Sequence, residues 1–256
     1  MIKTLHYKDE KSDKFWHVET AGCEMMTNWG KSGTSGRYEI KEFTDEAACE
    51  KQAEKLAASK MKKGYKEITD FNMDAHFYFD TEEFGLHPLT SHPVFRKYFA
   101  DEFYYDCCDE ETPFGNDNGN DTLSTLQETF RKRPQLHFAD FPQYMVRDIW
   151  DMTYLPPDST QTVEELKVQA AEKIDTLPGH QVILLNDQVI LAAALGQIKI
   201  TGKIDNRLLD LAFQSLNRME KLYRIVWNYD EKELPCPIKT MRQDFNQLKN
   251  EIMENK

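Results

Sequence analysis

The amino-acid sequence predicts an α+β protein, with an antiparallel sheet crossed by one helix at the front and a mainly α-helical domain behind it. Before residue 44, short runs rich in aromatic and branched side chains alternate with glycine-containing turns, which is typical of a β-meander. A single well-capped helix follows these runs. Beyond residue 112, apolar residues recur mostly at helical spacing.

Three strands are predicted at the front. They are residues 14–20 (KFWHVET), 23–29 (CEMMTNW) and 37–43 (RYEIKEF). Turn-forming residues separate them, AG in the first gap and GKSGTSG in the second. Strands that follow each other so closely pair as an antiparallel meander, and the apolar face of such a sheet needs a cover.

The next segment is predicted to be the helix that covers this sheet. Thr44 or Asp45 is its N-cap, acidic residues lie in the first turn, lysines lie in the last turn, and Gly64 ends it. Its apolar stripe contains Cys49, Ala53, Leu56, Ala57 and Met61. Residues 1–68 therefore form one domain.

Residues 69–111 are interpreted as an irregular linker that mixes aromatic and acidic side chains. The run FNMDAHFYFD alternates only in part, so it fits a strand or an irregular segment. Phe95, Phe99 and Phe103 recur every four residues, which predicts a short amphipathic helix over about residues 93–105.

Residues 112–256 are predicted to form the helical domain. Asn120 or Asp121 caps its first helix, whose apolar side contains Leu123, Leu126 and Phe130. A capping box from Thr162 to Glu165 begins the second helix. The stripe of this second helix is Val163, Leu166, Ala170, Ile174 and Leu177, and Pro178 with Gly179 is its stop signal.

The run QVILLNDQVILAAALG is apolar almost all round, so it fits either a central buried helix or a hairpin that turns at Asn186 and Asp187. Its three consecutive alanines favour the helix. Two more helices are predicted, from Asp205 and from Lys239. Their apolar sides are Leu208, Leu211, Ala212, Leu216, Met219 and Leu222 in the first, and Met241, Phe245, Leu248 and Ile252 in the last.

The net charge of −12 is unevenly distributed. Residues 1–70 contain 13 Lys+Arg and 13 Asp+Glu, which leaves 19 and 31 for the rest of the chain. An acidic surface repels phosphate backbones at long range, so sequence-blind binding to duplex nucleic acid is not expected for the rear domain. A local site at the front remains compatible with the charge.

Cysteine usage and hydropathy predict a cytoplasmic protein. No zinc spacing or disulfide framework is evident, and the cysteines are interpreted as reduced thiols. They are Cys23, Cys49, Cys107, Cys108 and Cys236. The first 15 residues are too charged for a signal peptide, and no apolar run reaches the length of a membrane span.

Four pieces of the front carry a family resemblance: KFWHVET, NWGKSGTSG, KEF and EKLAASKMKKGY, in this order and at this spacing. Together, over residues 1–68, they resemble the WGR domain. The resemblance implies a twisted antiparallel sheet crossed by one helix. In the poly(ADP-ribose) polymerase members of the family, the turn binds broken DNA ends, with the tryptophan against the terminal nucleotide.

By position, the resemblance implies a nucleic-acid site at Trp29 and Lys31, with the turn glycines Gly30 and Gly33, and Arg37 lies near enough to help hold a phosphate. Lys31 stands where the motif has arginine, and a lysine lacks the planar fork of a guanidinium. The alternative is structural: Trp29 ends a strand and covers the helix, and the glycines supply the positive φ of the turn. The lysines of KMKKGYK are interpreted as a solvated helix end.

The rear carries a second resemblance. TPFGNDNGNDTLSTLQE, VILAAALGQIKITGKIDNRLLDLAFQSL and Trp227 resemble a bacterial helical domain family of unknown function, over about residues 112–250. That resemblance implies a helical domain and no activity. A WGR module joined to a further bacterial domain is also similar to proteins labelled molybdate metabolism regulators, which implies a regulatory role.

The sequence contains no motif for a catalytic nucleophile, zinc helix, P-loop or dinucleotide fold. The segment DEFYYDCCDEE is interpreted as solvated acidic surface. NDNGND resembles part of a calcium loop but lacks the closing bidentate glutamate, since Glu128 belongs to the following helix, so no metal and no cofactor is expected. We therefore predict a non-enzymatic binding or regulatory protein whose WGR module contacts nucleic-acid ends. The alternative is a protein-interaction or immunity-like protein, in which the acidic helical domain covers a basic partner and the WGR module is a scaffold. No membrane partner is expected.

Overall fold

The computed structural model describes residues 1–69, 71–230, 232 and 234–254. The chain divides into two compact units, Met1–Pro93 and Val94–Lys256. The first unit contains an antiparallel sheet with one helix and the second is mainly helical, which confirms the predicted α+β class. The division between the units lies inside the predicted linker of residues 69–111.

The first unit is built on a five-stranded antiparallel sheet with the strand order β4-β3-β2-β1-β5. Its strands are β1 (Ile2–Lys8), β2 (Asp13–Ala21), β3 (Glu24–Lys31), β4 (Arg37–Glu42) and β5 (Lys66–Glu67). The three predicted strands correspond to β2, β3 and β4. Strand β1 was not predicted because its lysines and histidine mask the alternation that places Leu5 in the core.

Helix α1 (Glu46–Lys62) covers one face of the sheet, as predicted. The Asp45 carboxylate accepts a hydrogen bond from the Ala48 amide at 2.7 Å, so Asp45 is the N-cap. The buried residues of this face are Leu5, Trp16, Val18, Met25, Cys49, Ala53 and Ala57. Met61 is 46% exposed, contrary to its predicted place in the stripe. Lys60 turns toward the sheet instead, over the ring of Trp16.

The other face of the sheet is covered by the segment of residues 71–93. Its aromatic rings contact those of the strands, such as Phe71 against Phe15 and Tyr78 against Tyr38, and Leu89 packs with Met26. The segment is irregular, with short 3-10 turns at Met73–Ala75 and Pro88–Thr90. Both faces of the sheet are therefore covered within the first unit.

At the start of the second unit, the secondary structure differs from the single helix predicted over residues 93–105. Helix α2 (Pro93–Tyr98) is shorter than predicted, and a 3-10 turn follows at Glu102–Tyr105. Asp101 is extended between them. The break rotates the chain, so Tyr104 rather than Phe103 joins Phe95 and Phe99 in the core.

Helix α3 (Asp117–Lys132) buries Leu123, Leu126 and Phe130 as predicted, but it begins one turn early. Asn116 is the N-cap, and its side chain accepts a hydrogen bond from the Gly119 amide at 2.8 Å. NDNGND offers several residues able to cap, and tertiary packing selects the first. A short helix α4 (Phe141–Gln143) follows and continues as a π-helical turn, Tyr144–Ile149.

Helix α5 (Val163–Ala171) has the predicted capping box, but its predicted extension to Leu177 is wrong. A two-stranded hairpin, β6 (Lys173–Ile174) and β7 (Leu177–Pro178), replaces the last turns. Asp175 and Thr176 form its turn with φ of 50° and 70°. Pro178 and Gly179 were predicted to end a helix. In the structure Pro178 is the N-cap of the next helix and Gly179 is its first residue, so the pair marks the beginning of a helix.

Helix α6 (Gly179–Thr201) is the predicted central helix, which excludes the alternative hairpin. Among the described residues it is the helix long and apolar enough to span a membrane, yet 78% of its most apolar stretch is buried inside the structure. Helices α7 (Asn206–Trp227) and α8 (Cys236–Glu254) follow, with Asp205 as the N-cap of α7 and α8 beginning three residues before the predicted Lys239.

The cysteines whose side chains are described, Cys23, Cys49, Cys107 and Cys108, are free thiols. The side chain of Cys236, the remaining residue of the predicted set, lies outside the described part of the chain.

Candidate nucleic-acid interface

The turn between β3 and β4 depends on three glycines. Gly33 and Gly36 have φ of 81° and 69°, a region that side chains with a Cβ rarely adopt. A Cβ on Gly30 would lie 2.7 Å from the Cα of Gly36, so the two backbones meet here without room for a side chain. Gly30 is thus required because there is no space for a side chain, and Gly33 because of its backbone conformation. The role of either glycine in binding stays a prediction.

Asn28 fixes the base of this turn. Its side-chain amide donates hydrogen bonds to the carbonyls of Ser35 at 2.9 Å and Arg37 at 3.1 Å. Its Oδ1 accepts a hydrogen bond from Nε2 of His76 at 2.8 Å. Because both N–H groups of the amide are used, the histidine must be the donor of the third bond. Asn28 is 1% exposed, and no sequence signal marked it.

The buried position of His76 predicts a pH-dependent stability. Burial, followed by the charges of His17 and His92, lowers the pKa of His76 to about 4. A histidine in an unfolded chain titrates near 6.5. Between these values the unfolded chain binds the extra proton, so stability is complete above about pH 6.5 and is lost as the pH falls toward about 4.

We expect the first unit to lose about 2 kcal/mol of unfolding free energy from this group between pH 7 and pH 5. The measurement compares urea unfolding at the two pH values for the wild type and for His76→Gln, which keeps a side-chain donor without titrating. The difference in pH dependence between the two proteins separates the contribution of His76 from that of the other titratable groups. Identical pH dependence in both proteins would show that His76 does not contribute.

The strand register places the predicted binding residues on one face of the sheet. Trp29 lies opposite Trp16 on β2 and opposite Arg37 on β4, and Lys31 lies opposite Lys14. Cross-strand partners share a face, and so do residues two apart on one strand. Trp29, Lys31 and Arg37 therefore lie on one face of the sheet together with Lys14, and their role in binding stays a prediction. All of them lie on the side that α1 covers.

The Trp29 indole is only partly covered by the protein. It packs against the core beneath α1, while Lys31 and Arg37 are exposed. The indole therefore covers the end of the core, as the structural alternative predicts, and also keeps part of its surface accessible beside two cations. We call Trp29, Lys31, Arg37, Lys14 and Lys60 the lysine–tryptophan face.

Lys60 belongs to this face although it lies far away in the sequence. Its Nζ is 5.8 Å from the ring centre of Trp16 and 5.5 Å from that of Tyr65. Burial lowers the pKa of Lys60, and the positive charges of Lys63 and Lys14 lower it further. The interpretation of these lysines as a solvated helix end is therefore wrong for Lys60. Lys60 continues the apolar stripe of α1 at helical spacing. The prediction missed it because a search for apolar periodicity does not count a lysine.

Lys14 and Lys31 have no ion-pair partner among the residues that the structure describes. They oppose each other directly across two strands, an arrangement that costs stability because like charges repel. The neighbouring carboxylate of Asp13 points to the other face, where His6 and Lys8 contact it at 2.7 and 3.2 Å. A phosphate placed between the two lysines would remove their repulsion.

Residues 1–72 of the first unit form a WGR domain. The family model described as WGR domain matches residues 1–72, in agreement with the resemblance over residues 1–68. Over 235 residues, the chain is 41% identical to YfeS of Escherichia coli (strain K12), an uncharacterized protein, and the match covers 92% of this chain and 93% of YfeS. The chain belongs to the same protein family as YfeS.

Two further similarities are narrower. YehF of Escherichia coli (strain K12) is 54% identical over 61 residues, which are 24% of this chain and 22% of YehF. A crystal structure of a Bacteroides fragilis protein is 24% identical, covers 50% of this chain and 39% of its own, and superposes with a TM-score of 0.27. A similarity that weak carries no argument about the fold. The resemblance of residues 112–250 to a helical family of unknown function stays a prediction.

Proposed function

We propose that this protein is a non-enzymatic, regulatory binding protein whose WGR domain contacts nucleic-acid ends through the lysine–tryptophan face. The observation that carries the proposal is that Lys14 and Lys31 oppose each other across β2 and β3, next to Trp16 and Trp29, which are also cross-strand partners. Two ammonium groups without a described ion-pair partner, next to an accessible aromatic edge, suit a terminal phosphate and the nucleotide that bears it.

The chemistry of each group suggests its role. Lys14 and Lys31 would hold the phosphate as point charges, with the guanidinium of Arg37 on the same face. The accessible part of the Trp29 indole would stack on the terminal base or sugar, a contact worth roughly 1–3 kcal/mol. Lysines do not distinguish bases in the way that a bidentate arginine does, so binding would depend little on sequence.

An end suits this surface better than the middle of a duplex. The domain as a whole is neutral, with 13 basic and 13 acidic residues in residues 1–70. It therefore attracts a long stretch of phosphate backbone only weakly. A chain end exposes a base face and a phosphate together, which is the combination that one indole and a few cations can bind. Cytoplasmic location and a regulatory role, rather than catalysis, belong to this proposal.

The double substitution Lys14→Glu/Lys31→Glu is expected to weaken binding to a 5′-phosphorylated hairpin oligonucleotide about 30-fold at low salt. The slope of log K against log salt should also fall by about 2, because two phosphate contacts are lost. Fluorescence anisotropy over a salt series measures both quantities. Lys55→Glu, on the exposed surface of α1, is the matched control and should bind as the wild type does.

A closed dumbbell of the same sequence, which has no ends, tests the specificity for ends. We expect it to bind at least about tenfold more weakly than the open hairpin, since it lacks the stacking contact. Equal binding of the two would rule out end recognition. An absence of binding to either at low salt would reject nucleic-acid binding altogether.

If nucleic-acid binding is rejected, we propose instead that the acidic part of the chain binds a basic protein partner. Beyond residue 70 the chain carries 31 acidic and 19 basic residues, a balance that suits a basic protein partner. In that case the WGR domain is a scaffold, and the opposed lysines have no binding role.

A further inference from the structure

The second unit contains a cavity between α7 and the segment that leads into α5. Its volume is about 330 Å³, at the lower end of the range for small-molecule sites. Side chains from both elements line it, including Ser159 and Gln161 on one side and Gln214 and Asn217 on the other. Leu166 is the apolar residue of the lining, and with the aliphatic stems of the long polar side chains it gives the wall about as much apolar as polar surface. The charged groups of the wall, rather than its overall polarity, therefore indicate the ligand.

Arg218, on α7, forms the buried part of this lining and is 6% exposed. Its Nε and Nη2 donate hydrogen bonds to the Asp187 carboxylate at 3.0 and 2.9 Å, and Nη2 also donates to the Leu155 carbonyl at 2.8 Å. Nη1 has no hydrogen-bond partner among the described residues. The ion pair therefore holds the guanidinium rigidly and leaves one of its amino groups available to the cavity.

Further cations line the cavity along α7. Lys221 has no ion-pair partner within the described part of the chain, while Arg224 contacts Glu220 at 3.0 Å. Arg242 contacts the other oxygen of Glu220 at 2.8 Å, so two arginines neutralise this carboxylate. The opposite wall contributes Asp158, whose carboxylate already accepts hydrogen bonds from the amide and hydroxyl of Thr160.

This arrangement leaves a positive surplus in an acidic part of the chain. The lining and its direct ion-pair partners contain more cations than carboxylates, namely Arg218, Lys221, Arg224 and Arg242 against Asp158, Asp187 and Glu220. A guanidinium with a free amino group and an ammonium one turn further along α7 can both donate to one oxyanion. The Nε2 of Gln161 donates to Gln169 at 2.8 Å, so its Oε1 remains as an acceptor, and with the Gln214 amide it can hold hydroxyl or amide groups on the rest of a ligand.

We propose that this cavity is a binding site for a small polar molecule that carries one oxyanion group, a phosphate or a carboxylate. Arg218 and Lys221 bind the oxyanion, and Gln214 and Gln161 contact the polar remainder. The site lies wholly in the second unit and does not depend on the nucleic-acid proposal.

Isothermal titration calorimetry on the full chain tests this site, with inorganic phosphate and the monocarboxylate glycolate as separate probes. We expect one of them to bind and Lys221→Ala to weaken that binding about tenfold, the loss of one charge-assisted hydrogen bond. Lys203→Ala is the matched control, because Lys203 is exposed beyond the end of α6, and it should leave the affinity unchanged. Binding of phosphate alone assigns a phosphoryl ligand, and binding of glycolate alone assigns a carboxylate.

The Lys14→Glu/Lys31→Glu protein separates this site from the lysine–tryptophan face, which could also attract phosphate. Binding through the cavity survives that double substitution and is weakened by Lys221→Ala. No heat with either probe, or equal affinity in the wild type and Lys221→Ala, would overturn the proposal. Arg218 is unsuitable for the test, since replacing it would leave Asp187 buried without its partner.

Discussion

Replacing Asp187 with alanine is expected to destabilise the second unit by about 4 kcal/mol. Asp187 is fully buried on α6, and Arg218 of α7 is 6% exposed. The pair is joined by hydrogen bonds of 2.9–3.2 Å from two guanidinium nitrogens. Without the carboxylate, a buried positive charge keeps only the Leu155 carbonyl as a partner among the described residues, and the cost of leaving a charge uncompensated exceeds the worth of the pair itself.

Hydrogen exchange of the α6 and α7 amides measures this effect in the second unit alone. Asp140→Ala is the matched control, because its ion pair with Arg207 has a similar length, 2.8 Å, but both side chains are more than 60% exposed. It should cost less than about 1 kcal/mol. The combination Asp187→Leu/Arg218→Met should recover most of the lost stability, since no charge remains buried. Equal costs for Asp187→Ala and Asp140→Ala would contradict this account.

The elements that the sequence predicted well are those with local causes. The caps of α1 and α5 involve residues three apart, such as Asp45 with Ala48 and Thr162 with Glu165, so the information lies within one turn. The central helix α6 was predicted for a similar reason, through three consecutive alanines. Apolar periodicity found α7 and most of α3 and α8 in the same way.

The errors have long-range causes. Residues 71–93 cover the sheet through contacts such as the hydrogen bond from the Tyr38 hydroxyl to the Phe77 carbonyl, 39 residues away. No local pattern reports such a contact. The hairpin after α5 turns on Asp175 and Thr176, two residues other than glycine in the left-handed region. Such a turn is held by its surroundings, since the Asp175 carboxylate accepts hydrogen bonds from Thr153.

The residues of the candidate site also divide into those that a local pattern predicts and those that only long-range contacts bring to the site. Trp29, Lys31 and Arg37 could be predicted together because one turn joins them and a family motif marks two of them. Lys14 required the register between β2 and β3, and Lys60 required the docking of α1 on the sheet. The opposed lysines, which carry the functional proposal, were therefore visible only in the structure.

Replacing Asn28 with alanine is expected to destabilise the first unit by about 3 kcal/mol. The substitution removes three hydrogen bonds at once and leaves the Ser35 and Arg37 carbonyls and the His76 donor without this partner. Buried polar groups that lose a partner cost more than a typical hydrogen bond contributes. The turn that Asn28 anchors also sets the position of Trp29 and Lys31, so oligonucleotide affinity should fall with stability.

Urea unfolding monitored by tryptophan fluorescence measures the first effect, and anisotropy with the 5′-phosphorylated hairpin measures the second. Asn72→Ala is the matched control in the same unit. Asn72 is exposed and accepts one hydrogen bond, from the Ala75 amide at 3.2 Å, so its loss should cost about 1 kcal/mol or less and leave binding unchanged. If Asn28→Ala cost no more than Asn72→Ala, the turn would be held by its glycines and strand pairing alone. If stability fell while affinity did not, the lysine–tryptophan face would not depend on the geometry of this turn.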